Sequence, residues 1–154
     1  MAAHHERTKR ERVLYMYNKI LVAFDGSAPS IRALQHASKL AKSVNANKLT
    51  IVHIKERIHL QQPVFSVDLD ALIEEENRDI LSEAHNHLTQ SGIPYEAYGL
   101  EGTASKKIIE YAHDNQQDVI VIGSRGKGFV KETFLGSVSH EVAQSAECPV
   151  IIVK

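Results

Sequence analysis

The stretch Lys19-Ile20-Leu21-Val22-Ala23-Phe24-Asp25-Gly26-Ser27 opens with a nearly continuous apolar run and ends in turn-forming residues. It reads as a strand buried on both faces, because a strand with one wet side would alternate apolar and polar positions. A helix is the expected continuation. Ser27 can cap it, Pro29 suits its first turn, and Ile31, Leu34, Ala37, Leu40, Ala41 and Val44 recur at helical spacing up to Asn45-Ala46-Asn47. Leu49-Thr50-Ile51-Val52-His53-Ile54 then reads as a second strand. Together these segments form a βαβ unit, with parallel strands and a right-handed crossover.

The alternation continues to the end of the chain. Residues 55–68 lack strong periodicity and contain Gln61-Gln62-Pro63, which predicts a long loop of the kind that covers ligands. From Leu69 onward, Leu72, Ile73, Ile80, Ala84 and Leu88 mark one face of a long helix, and Glu74, Glu75, Glu76 and Arg78 mark the other, with Ser91-Gly92 ending it. A weaker third strand is expected from 94 to 99, and a helix over 104–115 carrying Ile108, Ile109 and Ala112. Residues 118–122 and 149–153 read as the fourth and fifth strands, flanking a glycine-containing segment and a last helix over about 137–146. Five strands in β/α alternation predict a parallel sheet with helices on both faces. If Asp25 and the glycine segment serve one ligand, strands 1 and 4 are neighbours and the strand order is 3-2-1-4-5, with the switch point between them.

Composition narrows the function classes. At 154 residues the chain fits one domain, read here as 17–154. A formal net charge of -1 gives no general drive toward DNA or RNA backbones, and an aromatic content of 6% offers few rings for base stacking. No apolar run is long enough to span a membrane. The single cysteine, Cys148, excludes an intramolecular disulfide and points to a reducing, cytoplasmic setting. Residues 1–16 contain His4, His5, Arg7, Lys9, Arg10 and Arg12 with no apolar core behind them. They are expected to be a disordered leader rather than a secretory signal.

The segment most informative about chemistry is Gly123-Ser124-Arg125-Gly126, followed after nine positions by Gly136 and Ser137. It sits where a strand stops and a helix starts, so backbone N–H groups become available to an anion. Gly123 and Gly126 are expected to let the backbone approach a bulky anion without a Cβ in the way. Gly136-Ser137 supplies N–H groups and a hydroxyl, Arg125 and Lys127 can balance phosphate charge, and Ser139 lies one turn on, with Ser124 or Thr133 as further hydroxyls. For the glycines alone, a flexible loop is the alternative. The spacing is neither that of a P-loop nor that of a dinucleotide fingerprint. Asp25 can accept hydrogen bonds from ribose hydroxyls, help hold a divalent cation, or simply serve the Asp-Gly turn.

The Gly-x2-Gly-x9-Gly-Ser pattern at Gly123, Gly126, Gly136 and Ser137 resembles that of the universal stress protein family, nucleotide-binding branch. Supporting likeness lies at residues 19–27, 49–54, 100–102 and 148–153. The resemblance covers 17–154 and implies an adenine nucleotide alpha hydrolase-like fold. It also implies that Ala23 and Asp25 lie beside adenine and ribose, that Ile54 touches adenine, and that Ile122 and Gly123 continue the pocket. Gly126, Gly136, Ser137, Val138 and Ser139 would surround the phosphates of ATP, or of AMP or ADP, with Mg2+ on the phosphates and Asp25 as a possible metal contact. Ala23 stands where the family often has proline. A homodimer is implied too, pairing the fifth strand, Val150, Ile151, Ile152 and Val153, with its symmetry mate.

Other candidates for chemistry are weaker. His85 and His87 are two residues apart and project from different faces of a helix, so they do not make a helical metal pair. His53 and His140 fall near the expected pocket, and Cys148 reads as a small buried side chain. Three functions compete: an ATP-binding regulatory dimer, a slow ATPase or phosphoryl-transfer enzyme, and a nucleotide-free chaperone-like scaffold. The glycine pattern argues against the third, and the lack of an assignable catalytic base argues against the second.

Overall fold

The computed structural model describes residues 17–56, 69–127 and 134–154. The predicted leader, most of the predicted 55–68 loop and Thr133 lie outside the described residues. Strands β1 (Lys19–Ala23), β2 (Lys48–Lys55), β3 (Tyr95–Glu101), β4 (Val119–Gly123) and β5 (Val150–Val153) alternate with helices α1 (Ala28–Val44), α2 (Leu69–Leu88), α3 (Ala104–Asp114) and α4 (Ser137–Ser145). The strands form one sheet in the order β3-β2-β1-β4-β5, with every pairing parallel. This is the order expected from placing Asp25 beside the glycine segment.

Local chemistry sets the element ends. The Ser27 hydroxyl accepts from the Ser30 amide at 3.3 Å as the cap of α1, and Pro29 sits in the first turn, where no amide hydrogen is needed. At the other end Asn45 takes the left-handed conformation at φ 51°, and the Ala46 amide closes onto the Ala41 carbonyl at 2.9 Å. β3 runs two residues past its predicted end. β2 is the cause: Leu100 and Glu101 pair opposite Ile54 and Lys55, and the Gly102 amide donates to the Lys55 carbonyl at 3.0 Å. Polar residues tolerated on an edge strand had hidden this extension.

The sheet separates two apolar layers. On one face Ile20, Val22 and Phe24 pack with Ile51, Val119 and Val121 beneath Ala33, Leu34, Ala37 and Ala41 of α1 and Ile80, Ala84 and Leu88 of α2. On the other, Leu21, Ala23, Val52, Ile120 and Ile122 pack with Ile108 and Ala112 of α3 and Val142 of α4. β1 feeds both layers, as its unbroken apolar run requires. Among the described residues no helix is long and apolar enough to cross a membrane.

The start of β1 is tied to the start of β4 by one side chain. Asp118 Oδ2 accepts from the amides of Asn18 and Lys19, each at 2.8 Å, while the Asp118 amide donates to the Lys19 carbonyl at 2.9 Å. Asp118→Ala should therefore lower stability by about 1–3 kcal/mol, the range for losing charge-assisted bonds at a half-buried site. Urea denaturation measures this, and an unchanged midpoint would show that the tie is dispensable.

Candidate functional site

β1 ends at Ala23, and Asp25 begins the turn into α1. Its Oδ1 accepts from the Ser27 amide at 2.9 Å, within the turn, and its Oδ2 accepts from the Lys127 amide at 3.0 Å, far along the chain in the segment after β4. Burial pushes the Asp25 carboxyl up, but hydrogen bonds from Ser27, Lys127 and Ser30 outweigh it, leaving the pKa below the usual 3.8. Asp25 is thus a carboxylate at neutral pH, already fixed by two backbone donors and still able to accept more.

The segment after β4 is closed by the Ser124 peptide. Its amide donates to the Val153 carbonyl at 2.7 Å, and its carbonyl accepts from the Gly136 amide at 2.8 Å and the Ser139 hydroxyl at 2.9 Å. These bonds bring the start of α4 back beside the end of β4, across residues 128–133. The first turn of α4 carries no acidic residue, so its positive end is uncompensated by side chains.

Two sequence expectations change here. Gly123 and Gly126 make room for protein: a Cβ on Gly123 would lie 2.8 Å from Pro29 C and Ser30 N, and one on Gly126 would lie 2.8 Å from Asp25 Oδ2. Close packing of β4 against α1, and of the segment against Asp25, therefore already requires glycine at both positions. Ser124 is buried as the clamp just described and does not line the cleft.

A cleft of about 790 Å³ opens over the carboxyl ends of β1, β2 and β4. Apart from Ser124, and Thr133 outside the described residues, the predicted site residues line it: Ala23, Asp25, Ile54, Ile122, Gly123, Arg125, Gly126, Lys127, Gly136, Ser137, Val138 and Ser139. Ser139 does so with a committed hydroxyl, which donates to Ser124 O or to Gly136 O at 3.0 Å. The lining also includes Val52, Glu56, Ala104, Ile108 and Leu135, which sequence reasoning had not assigned to it. Val52 could have been found from register, since it pairs opposite Ala23. Ile108 could not, because its helical spacing marks it only as core.

The lining combines two kinds of residue. Ala23, Val52, Ile54, Ile108, Ile122 and Val138 all belong to the apolar layer under α3 and α4, so this wall continues the hydrophobic core. The lining also carries polar and charged residues, Asp25, Ser30, His53 and Lys127. His140 is also in the lining, exposed at its rim. His53 is 6% exposed, and its ring Nδ1 lies 2.9 Å from the Phe24 carbonyl. Burial pushes its pKa below 6.5, against the pull of Phe24 O and Asp25 and together with Lys127 and Lys55. A neutral ring placed this way donates from Nδ1 and keeps a lone pair on Nε2.

No group of three or more His, Cys, Asp or Glu that could hold a metal ion occurs among the described residues. Asp25 offers one carboxylate, which fits a cation carried mainly by ligand phosphates rather than a protein cage. Cys148 is half-buried, and burial raises its thiol pKa, so it is a poor nucleophile.

Comparison with known proteins agrees with this geometry. Residues 16–154 match the model of the Universal stress protein family. The chain is 34% identical to universal stress protein YxiE of Bacillus subtilis over 149 residues, covering 90% of this chain and 100% of that protein. Among solved structures, that of protein MJ0577 of Methanocaldococcus jannaschii superposes with a TM-score of 0.77 at 28% identity, over 90% of this chain and 96% of that one. A universal stress protein in complex with cAMP gives 0.69 at 28% identity, over 90% and 97% of the two chains. The Archaeoglobus fulgidus protein in complex with dAMP gives 0.66 at 26%, over 90% and 99%.

The glycine contacts predict a contrast measurable by urea denaturation. Gly123→Ala should cost about 1–3 kcal/mol through overpacking. Gly136→Ala, whose Cβ would meet nothing nearer than Arg125 Cα at 3.4 Å, should stay within about 0.5 kcal/mol. Equal losses would show that Gly123 is not packed as described. The His53 shift predicts a pH dependence. Since its folded pKa lies below 6.5, its contribution to stability is fully present above that value and is lost as pH falls through the folded pKa. Denaturation followed from about pH 8 to about pH 5 should show this loss, and His53→Gln should flatten it. A profile insensitive to the substitution would mean that the ring titrates normally.

Proposed function

Because the chain belongs to the universal stress protein family, we propose that it binds an adenine nucleotide, ATP in preference, and acts as a regulatory dimer. The observation that carries this reading is a cleft that combines an apolar wall with polar and charged residues. A flat apolar base fits the wall of Ala23, Ile54 and Ile122, a ribose comes to Asp25, and phosphates come to the glycine segment and the start of α4. Arg125 and Lys127 lie in the same lining and add positive charge where the phosphates are placed. The neighbours named with cAMP and dAMP support the adenine class. Mg2+ would travel with the phosphates, shielding their charge, and Asp25 would be its protein-side carboxylate. The dimer reading rests on β5, an edge strand of Val150, Ile151, Ile152 and Val153, all half-buried, with one side left unpaired by the described strands. Nucleotide would then bias the dimer toward a partner-binding state.

Protein purified without added nucleotide, then denatured, should release ATP or its breakdown products, identified by mass. Calorimetric titration should show ATP binding that Gly136→Val weakens by about tenfold or more while the fold is kept. The backbone at Gly136, φ -69° and ψ 159°, accepts any residue, so a lost fold is not expected. Protein that carries no nucleotide and binds none added would refute the reading.

A further inference from the structure

Beyond Ile54 the cleft lining gains an acid that no assignment above uses, Glu56. The direction of its side chain follows from its neighbours along β2. Val52 and Ile54 belong to the layer under α3 and α4, where the apolar wall lies. Lys55 points the other way, since its ammonium pairs with Glu76 of α2, a helix that packs on the opposite face of the sheet. The Lys55 carbonyl accepts from the Gly102 amide at 3.0 Å, which keeps the chain in the plane of the sheet up to the peptide that joins Lys55 to Glu56. Strand alternation therefore sets Glu56 in one row with Val52 and Ile54, one step nearer the mouth.

That row makes Glu56 the next group a base meets after the apolar wall. It is exposed, and among the described residues none gives it a hydrogen bond or an ion pair, so its carboxylate can take a donor from a ligand. The charges of the lining are also ordered. Arg125 and Lys127 follow β4, Asp25 follows β1 and Glu56 follows β2, with β1 lying between the other two strands. An acid on the β2 side turns phosphates away from that end and leaves them the β4 side, two strand spacings or about 10 Å across. What a carboxylate accepts instead is a hydrogen-bond donor. In a nucleotide, adenine carries donors on one group alone, its N6 amine, where guanine carries an oxygen.

We propose that Glu56 is a specificity-determining residue of the cleft, accepting a hydrogen bond from the exocyclic amine of the base. The proposal rests on the adenine-nucleotide reading above and adds to it the group that tells adenine from other purines. An apolar wall holds any flat ring, whereas an acid at the edge of that wall selects a ring with a donor in the matching place.

Calorimetric titration of the full chain with ATP and with purine riboside triphosphate, which lacks only the amine, tests this in wild type, Glu56→Ala and Glu56→Gln. Because Glu56 is exposed, neither substitution endangers the fold. Wild type should bind the analogue about tenfold more weakly, the weak end of the range for a hydrogen bond to a charged group. In Glu56→Ala the ratio should fall to within about twofold, and Glu56→Gln, which keeps a carbonyl acceptor at the same reach, should lie between. Equal affinity of wild type for the two compounds, or a ratio that Glu56→Ala leaves unchanged, would overturn the proposal while nucleotide binding stands. Wild type that binds neither compound would overturn the adenine-nucleotide reading and this one with it. Titration with GTP adds a third arm, and binding tighter than that of ATP would put a guanine edge on the carboxylate and refute both.

Discussion

The Asp25 carboxylate holds the two halves of the site together. One oxygen takes the Ser27 amide at the entry to α1 and the other takes the Lys127 amide after β4. Parallel strands β1 and β4 are neighbours, but their pairing alone leaves the chain beyond them free to diverge. The carboxylate prevents that by satisfying backbone donors from both segments with one charged group. Charge-assisted bonds of this type are about twice as strong as neutral ones. Gly126 is required because any side chain there would meet Asp25 Oδ2. The ligand-facing surface is therefore shaped around a residue whose first duty is to the backbone.

Much of this was legible in the sequence. Continuous apolar runs at residues 20–24 and 119–122 mark strands covered on both faces, and helical spacing between them gives the crossovers, so the fold class followed, while the strand order came from placing Asp25 beside the glycine segment. The site residues fell into one lining because strand ends and a glycine segment are local signals. What escaped had physical reasons. The last two residues of β3 are templated by β2 rather than by their own pattern. Ile108 has the same spacing whether it fills a core or floors a cleft.

The glycines carry a more general lesson. A glycine-rich segment beside a helix start invites the conclusion that each glycine clears space for an anion. At Gly123 and Gly126 the missing Cβ is filled instead by Pro29, Ser30 and Asp25, whereas at Gly136 it would meet only ordinary contacts. Protein packing thus accounts for two of the three glycines in the pattern, and only Gly136 is left to be explained by what approaches the start of α4.

The Ser124 peptide gives the sheet edge a mechanical meaning. Its amide is held by Val153, the last residue of β5, and its carbonyl holds the amide of Gly136 and the hydroxyl of Ser139. The rim of the sheet and the positive end of α4 are thus joined through the backbone of one residue, whose amide and carbonyl lie in successive peptide planes that meet at its Cα. Strain applied along the rim reaches the helix end through the two backbone torsions of a single buried residue. The reverse also holds, since any coupling between two places on a protein is reciprocal in free energy. The outer strand is in this sense a handle on the helix end as well as a boundary of the sheet.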